Sequence, residues 1–470
     1  MRRFWFLGAL LLAIVGLVPE FSLAQQDQPT AEQANISFYR KIRPVLQRRC
    51  SGCHQPAKAG GELNLTNYDG FLKGGENGAA FVPGKPDESQ VMKYITGDPP
   101  QMPLNDAPLS PEQIELIRLW IAQGAVNDTP ASVADTISSE NPPVYQNSPV
   151  ITSLAYSPDS QLLAVSGFRE ILVHKADGSG IVGRLIGRSQ RIESVKFSPD
   201  GKLIAAVGGT PALFGEVQFW DTATQKLTFS GTFANETLFG GSFSDDGTKF
   251  AFGGGDNSAR VLQVADGKQI MRSDAHSDYV FGTTFSLQLD HLITVSRDMA
   301  MKLMIIENGQ FVDNITSITP GALKGGLTAV QRHPKEDKVI MGGSDGEPKL
   351  YKIFRTQKRV IGDDFNRLRG YAVMPGRIYS AQFNADGSRF VIGSSTATSG
   401  MARIYDTEAG TLLHELKGIA TPIYAVAYRP DGLEVAVAGF DGIIRFYNPE
   451  TGEQIRELVP VTITPAVAKQ

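Results

Sequence analysis

A short polar turn returns seven times between residues 157 and 429 of this 470-residue chain, and no other feature limits the fold so tightly. It reads Ser157-Pro158-Asp159, then Ser198-Pro199-Asp200-Gly201, Ser244-Asp245-Asp246-Gly247, Asn384-Ala385-Asp386-Gly387 and Arg429-Pro430-Asp431-Gly432, with degenerate copies at Ser286 and His333. Successive starts lie 41, 46, 42, 47, 51 and 45 residues apart. Before each turn the chain alternates apolar and polar residues, as in ITSLAYS or IYAVAYR, and after it come LLAVSG or EVAVAG and then a third stretch such as IIRFYN. Alternation of period two marks half-buried strands. A four-stranded unit repeated about every 40–45 residues buries its faces only against its neighbours, and seven such units make an all-β propeller.

The units resemble WD-repeats from Pro149 to about Pro460, and the propeller is placed at 150–460. Trp220-Asp221 is the signature dipeptide of the second repeat; Tyr405-Asp406 and Tyr447-Asn448 stand in that place in the sixth and seventh. The resemblance puts Asp256, Asp298, Asp345 and Asp441 in tight turns between second and third strands. Of the hydrogen-bonded set expected of such repeats, His276, Ser296 and Asp298 could supply three members, with Met304 at the Trp position. Ring closure is open: PPVYQ or VTITP could exchange a strand.

These acidic residues are expected to be structural, because an aspartate in a tight turn most often bonds its own backbone. His174, His291, His333 and His414 fall in different repeats without a neighbouring ligand pattern, and no nucleophile elbow or phosphate loop is present. The loops GGTPALFGE and GSSTATSGMA are long. Residues 354–377 carry Arg355, Lys358, Arg359, Arg367, Arg369 and Arg377, a rim that either docks a protein partner or is a solvated loop balanced by its own acids.

The chain holds two cysteines, and they stand together as Cys50-Ser51-Gly52-Cys53-His54. A disulfide across two residues closes a tiny loop and constrains little. A zinc site needs four ligands, and a fourth does not cluster here. A redox pair would follow a strand of a βαβ unit, whereas Phe38, Ile42, Val45 and Leu46 recur as one face of a helix. The remaining reading is one covalently held haem c, with Cys50 and Cys53 as thioether tethers and His54 as proximal iron ligand. Ser110-Pro111-Glu112-Gln113 opens a later helix whose apolar face is Ile114, Ile117, Trp120 and Ile121, ending near Gly124. The loop between carries Met102 before Pro103. A thioether completes the usual ligand pair of an electron-shuttling haem, so Met102 is the expected distal ligand. Met92, on a helical pattern in DESQVMKYI, is the other candidate and reads as core.

Residues 38–125 resemble the planctomycete-type cytochrome c domain, through GGELNLTNYDGFLKGGENGAAFVPGKPDESQVMKYI and MPLNDAPLSPEQIELIRLWIAQGA. The resemblance implies that Cys50, Cys53 and His54 attach and ligate haem and that Met102 is distal; the gap from Asn105 to Pro108 is longer than the pattern. The expected fold is therefore multidomain, a small all-α c-type cytochrome followed by an all-β seven-bladed WD-like propeller.

At the N-terminus, Arg2-Arg3, the apolar run Phe4 to Val18 and Ser22-Leu23-Ala24 read as a signal peptide over 1–24, shorter in its apolar run than a membrane span. A tail covers 25–37, a Pro/Ser-rich linker 126–149 and a C-terminal tail 461–470; linker flexibility would set how freely the haem module moves. A net charge of −4 gives no reason to expect a nucleic-acid partner. The chain reads as an exported, periplasmic or equivalent, monohaem electron-transfer protein rather than an enzyme, with a redox partner protein and a propeller that docks a protein. A redox enzyme with its site in the propeller and a haem-based sensor or scaffold are the competing readings.

Overall fold

The computed structural model describes residues 35–104, 106–130 and 137–464. The segment read as a signal peptide and the last residues of the C-terminal tail lie outside them. Among the described residues no helix is long and apolar enough to cross a membrane.

The first module is built on helices. A π-helical turn, Phe38–Ile42, is capped by Ser37 and runs directly into α1, Arg43–Arg49, with Pro44 in its first turn. Phe38, Ile42, Val45 and Leu46 are buried, as their spacing predicts. Two short helices follow, α2 at Tyr68–Lys73 and α3 at Gln90–Ile95. The last, α4 at Pro111–Ala122, begins on the expected capping box: Ser110 accepts from the Gln113 N–H, and the Gln113 side chain accepts from the Ser110 N–H at 3.0 Å. Trp120 is the hub of the core, with Phe38, Phe71 and Phe81 between 5.0 and 5.9 Å of its ring. One element was not expected: His54–Gln55 pairs antiparallel with Lys58–Ala59, because Pro56-Ala57 turns the chain back immediately after the second cysteine.

From Leu154 onward the chain is β-structure, in a propeller-like arrangement. Among the described residues five four-stranded antiparallel sheets begin at the strands Leu238–Phe243, Val280–Phe285, Leu327–Arg332, Arg377–Phe383 and Ile423–Tyr428. A seven-stranded sheet precedes them, from Leu154–Tyr156 to Leu227–Ala234. Its middle strand, Ile181–Phe197, is 17 residues long; its first part pairs with Phe168–Lys175 and its second part with Leu203–Thr210. The first strand of each four-stranded sheet packs on that of the next, and Ile423–Tyr428 returns to Leu154–Tyr156.

The repeated turn explains the repeated sheet. At all seven starts, the degenerate Ser286 and His333 included, the backbone N–H donates to the carbonyl five residues on, at 2.8–3.0 Å. Where the turn keeps Asp, its carboxylate accepts from the N–H two residues later, at 2.8–3.1 Å for Asp159, Asp200, Asp246, Asp386 and Asp431. Gly201, Gly247, Gly387 and Gly432 take φ of 70° to 81°, a conformation costly for a residue with a Cβ.

Closure uses both segments singled out from the sequence. Tyr145, in PPVYQ, forms a parallel bridge with Ile463, in VTITP, and the Thr464 N–H donates to the Tyr145 carbonyl at 2.8 Å. The first and last sheets share one apolar cluster that includes Leu163, Leu172, Ala436 and Phe446. Tyr156 donates to Glu434 at 2.6 Å, and Arg456 pairs with the same carboxylate at 2.9 Å.

Candidate functional site

Cys50 closes α1 as its C-cap, and its N–H donates to the Leu46 carbonyl at 2.9 Å. The Cys53 and His54 N–H groups both turn back to the Cys50 carbonyl, at 3.2 and 3.1 Å. This tight loop leaves both cysteines as free thiols, Cys50 half-buried and Cys53 exposed. Burial pushes the Cys50 thiol up to about 12, against the opposing charges of Arg49 and Arg188, which favours the neutral thiol. Ser51, fully buried, donates to the Leu65 carbonyl at 3.0 Å and pins the loop from inside.

The His54 imidazole is half-buried, and its Nδ1 lies 2.8 Å from the Gly60 carbonyl. A carbonyl only accepts, so Nδ1 carries the proton and Nε2 keeps its lone pair. A backbone acceptor behind one ring nitrogen is how proteins orient the other towards a metal. Burial lowers the His54 pKa, which favours the neutral ring. Gly60 stands close beside the imidazole; a Cβ there would lie 3.7 Å from the ring.

Met102 is half-buried and packs, as Cys50 does, on the aromatic and aliphatic cluster around Trp120. Its N–H donates to the Tyr94 carbonyl at the end of α3, at 2.9 Å. The loop after it is tied to the cysteine motif: Arg49 reaches the Ala107 carbonyl and pairs with Asp106 at 3.5 Å. Sequence reading passed over Arg49, whose only signal was its place beside Cys50. Met92, by contrast, is a buried core residue of α3.

These residues fit a c-type haem. Two unpaired thiols and an imidazole with Nε2 left over share one tight loop, and Cys50 and the Met102 thioether pack on one apolar cluster. Among the described residues no three His, Cys, Asp or Glu side chains converge on a metal-sized site, Cys50, Cys53 and His54 included.

On the propeller, the four turn aspartates accept from the N–H two residues on, at 3.4 Å for Asp256, 3.0 Å for Asp298, 3.2 Å for Asp345 and 3.1 Å for Asp441. Each also faces a basic residue four positions on, Arg260, Lys302, Lys349 or Arg445. That Asp-x-x-x-Lys/Arg spacing is readable in the sequence and marks the entry to the third strand. His276 meets Asp298 at 2.8 Å, but its Nε2 goes to Thr294 at 2.7 Å and not to Ser296. Ser296 instead donates to the Asp278 carbonyl at 3.0 Å. In the rim at 354–377, Arg355 and Arg359 pair with Asp313 and Arg367 with Glu347, while Arg369 and Arg377 donate to Ala409 and Ser344.

Comparison with known proteins agrees with both halves. Residues 50–105, which hold the cysteine motif and Met102, match the family described as planctomycete cytochrome C. Residues 189–468 match the family described as nucleolar protein 10-like, N-terminal domain, a β-propeller. Periodic tryptophan protein 2 of Saccharomyces cerevisiae is 23% identical over 295 residues, covering 56% of this chain and 30% of the relative. Apoptotic protease-activating factor 1 of Rattus norvegicus is 21% identical over 46% of this chain and 16% of its own length. Eukaryotic translation initiation factor 3 subunit I of Coccidioides immitis is 25% identical over 55% of this chain and 66% of its own. This chain therefore spans only part of each of these relatives. The match at 189–468 takes in more than half of the 470 residues, so the chain belongs to the nucleolar protein 10-like N-terminal-domain family of β-propellers and carries a planctomycete cytochrome C domain ahead of it.

Proposed function

We propose that the chain is an exported one-electron carrier, with one haem c in the N-terminal module and a propeller that docks a protein partner. The observation that carries the reading is the His54 ring. With Nδ1–H held by the Gly60 carbonyl, Nε2 is the one nitrogen left for iron, in a loop whose two thiols are free. Cys50 and Cys53 would hold the haem as thioethers, and His54 and Met102 would be its iron ligands. When bound, the haem would supply one-electron chemistry, and two side-chain ligands would leave no place for an exogenous one. The apolar cluster around Trp120 keeps water from one side of the site.

Seven blades are part of the proposal. The seven equivalent turns support it, as does the long strand Ile181–Phe197, which serves as the last strand of one blade and the first of the next. A redox protein is the proposed partner of the haem. A protein partner of the propeller is proposed to dock at the rim of 354–377, a reading supported by Val360 and Ile361 standing exposed between paired arginines. Export rests on the N-terminal sequence pattern, and the periplasm or an equivalent compartment is the proposed location.

The test is an absorption spectrum of the mature protein made with a haem-maturation system, oxidised and reduced, with and without carbon monoxide. A low-spin spectrum indifferent to carbon monoxide, converted to a high-spin, carbon-monoxide-binding form in Met102→Ala, is the expected result. Covalent haem retained when Cys50 and Cys53 are both Ser would refute the attachment.

A further inference from the structure

The haem-motif loop is not at the end of a free tether. Three consecutive residues of the strand Leu227–Ala234 meet residues 52–58. Lys58 Nζ donates to the Thr228 carbonyl at 2.8 Å, and its ammonium lies 6.0 Å from the centre of the Phe229 ring. Gly52 sits so close to the next residue that a Cβ would come within 2.8 Å of the Ser230 carbonyl oxygen. Ala57 packs on the apolar cluster of Ile171, Leu185, Trp220 and Leu227. Direct packing, which no repeat in the sequence announces, thus joins the haem-motif loop to this strand in addition to the linker.

One side chain ties the two parts electrostatically. Arg188 donates to the Gln47 carbonyl, in the last turn of α1, at 2.5 Å. That carbonyl belongs to the negative end of the helix, where a cation is favoured. Arg188 is itself held from the propeller side, by Glu216 at 2.9 Å, by the Thr232 hydroxyl and by stacking 4.2 Å over Phe214. Glu216 is wholly buried and also accepts from Ser189, Ser230 and, at 2.8 Å, Gln218. The positive charge of Arg188 reaches the Cys50 thiol, where it acts against the effect of burial.

A buried ion pair is weak evidence of stabilisation for its own sake, since desolvation offsets most of the attraction. We propose instead that Arg188 is a positioning residue: it docks the haem module on the propeller and sets a permanent cation beside the haem-attachment loop. The docking part stands without the haem reading; the electrostatic part rests on it. The cationic end of the Arg188–Glu216 pair is the one that faces this loop, through the Gln47 carbonyl, so it disfavours the more positive, oxidised iron and raises the reduction potential.

The experiment compares the full-length protein with Arg188→Met and with Lys58→Glu, by amide hydrogen exchange and by potentiometric titration of the haem. Lys58→Glu leaves the buried pair intact, so it serves if Arg188→Met fails to fold. Exchange at residues 45–60 and 227–234 is expected to quicken at least tenfold in each variant, with the sheets from Val280 onward unchanged, and Arg188→Met lowers the potential. Exchange unchanged at both segments in either folded variant overturns the docking. Faster exchange with an unmoved potential upholds docking and overturns the electrostatic role. Absence of haem from the parent protein would count against the proposed function and, with it, the electrostatic part, while the docking is still decided by the exchange, which is read on the polypeptide.

Discussion

Glu216 and Asp298 show how a single carboxylate is used in this propeller. Glu216 has no contact with water, and its charge is balanced by Arg188 and by hydroxyl and amide donors. Glu216→Leu strands the guanidinium in the interior, at an expected cost of about 3–5 kcal/mol in urea-induced unfolding. Joining it to Arg188→Met should recover most of that loss, since an apolar pair of similar volume removes both charges. For Asp298, burial works to raise the pKa, but the hydrogen bond and charge of His276 overcome it and hold the group at about 2. A depressed folded pKa stabilises above the unfolded value and loses that contribution as pH falls towards the folded one. Between about pH 4 and pH 2 the protein should lose about 2 kcal/mol through this group, and Asp298→Asn should flatten that part of the stability profile. The aspartate turns were legible because each is local, donor and acceptor lying two residues apart. The Arg188–Glu216 pair was not, because nothing in a linear chain marks two charges 28 positions apart as partners. The Gly60 acceptor behind His54 was equally hidden, for any residue carries a carbonyl.

Among elements, α4 carries most of its own instructions. Ser110, Pro111 and Gln113 start it, and Ile117, Trp120 and Ile121 bury one face. Ser110→Ala removes one half of the capping box and should lower the stability of the haem module by about 1 kcal/mol. Hydrogen exchange along α4 measures this, and the propeller strands should not respond. The helix face before Cys50 and the strand alternation were readable for the same reason, a buried stripe of fixed period. The short ladder of His54–Gln55 with Lys58–Ala59 had no such stripe, and two-residue strands leave no period to detect.

For the molecule as a whole, the ring is closed among the described residues by side chains, by the Tyr145–Ile463 bridge and by the Ile151 N–H bond to the Gly439 carbonyl. Tyr145 with Ile463, and Tyr156 with Glu434 and Arg456, hold first and last sheets together. A chain ending at Pro460 loses the bridge and buried Val461. It should unfold at lower denaturant, by about 1–3 kcal/mol, with faster exchange confined at first to the sheets that meet there. That both terminal segments take part was visible as an option in the sequence, but their pairing with each other was not, since a single bridge has no pattern. The docking of the haem module on Leu227–Ala234 was likewise outside its reach, because it depends on surfaces that exist only once both modules have folded.

The strand Ile181–Phe197 has a meaning for engineering as well as for architecture. Elsewhere in the ring successive sheets are joined by loops, where the chain can be cut or lengthened without breaking a ladder. Here the crossing is itself paired backbone on both sides, and Arg188 lies within it. An inserted peptide or new termini at 187–190 should therefore abolish soluble expression, whereas the same insertion at the exposed residues 320–322, in the loop before Leu327–Arg332, should be accepted. The chain's first two units would then be inherited, duplicated or transplanted only as a pair, together with the haem module that leans on them.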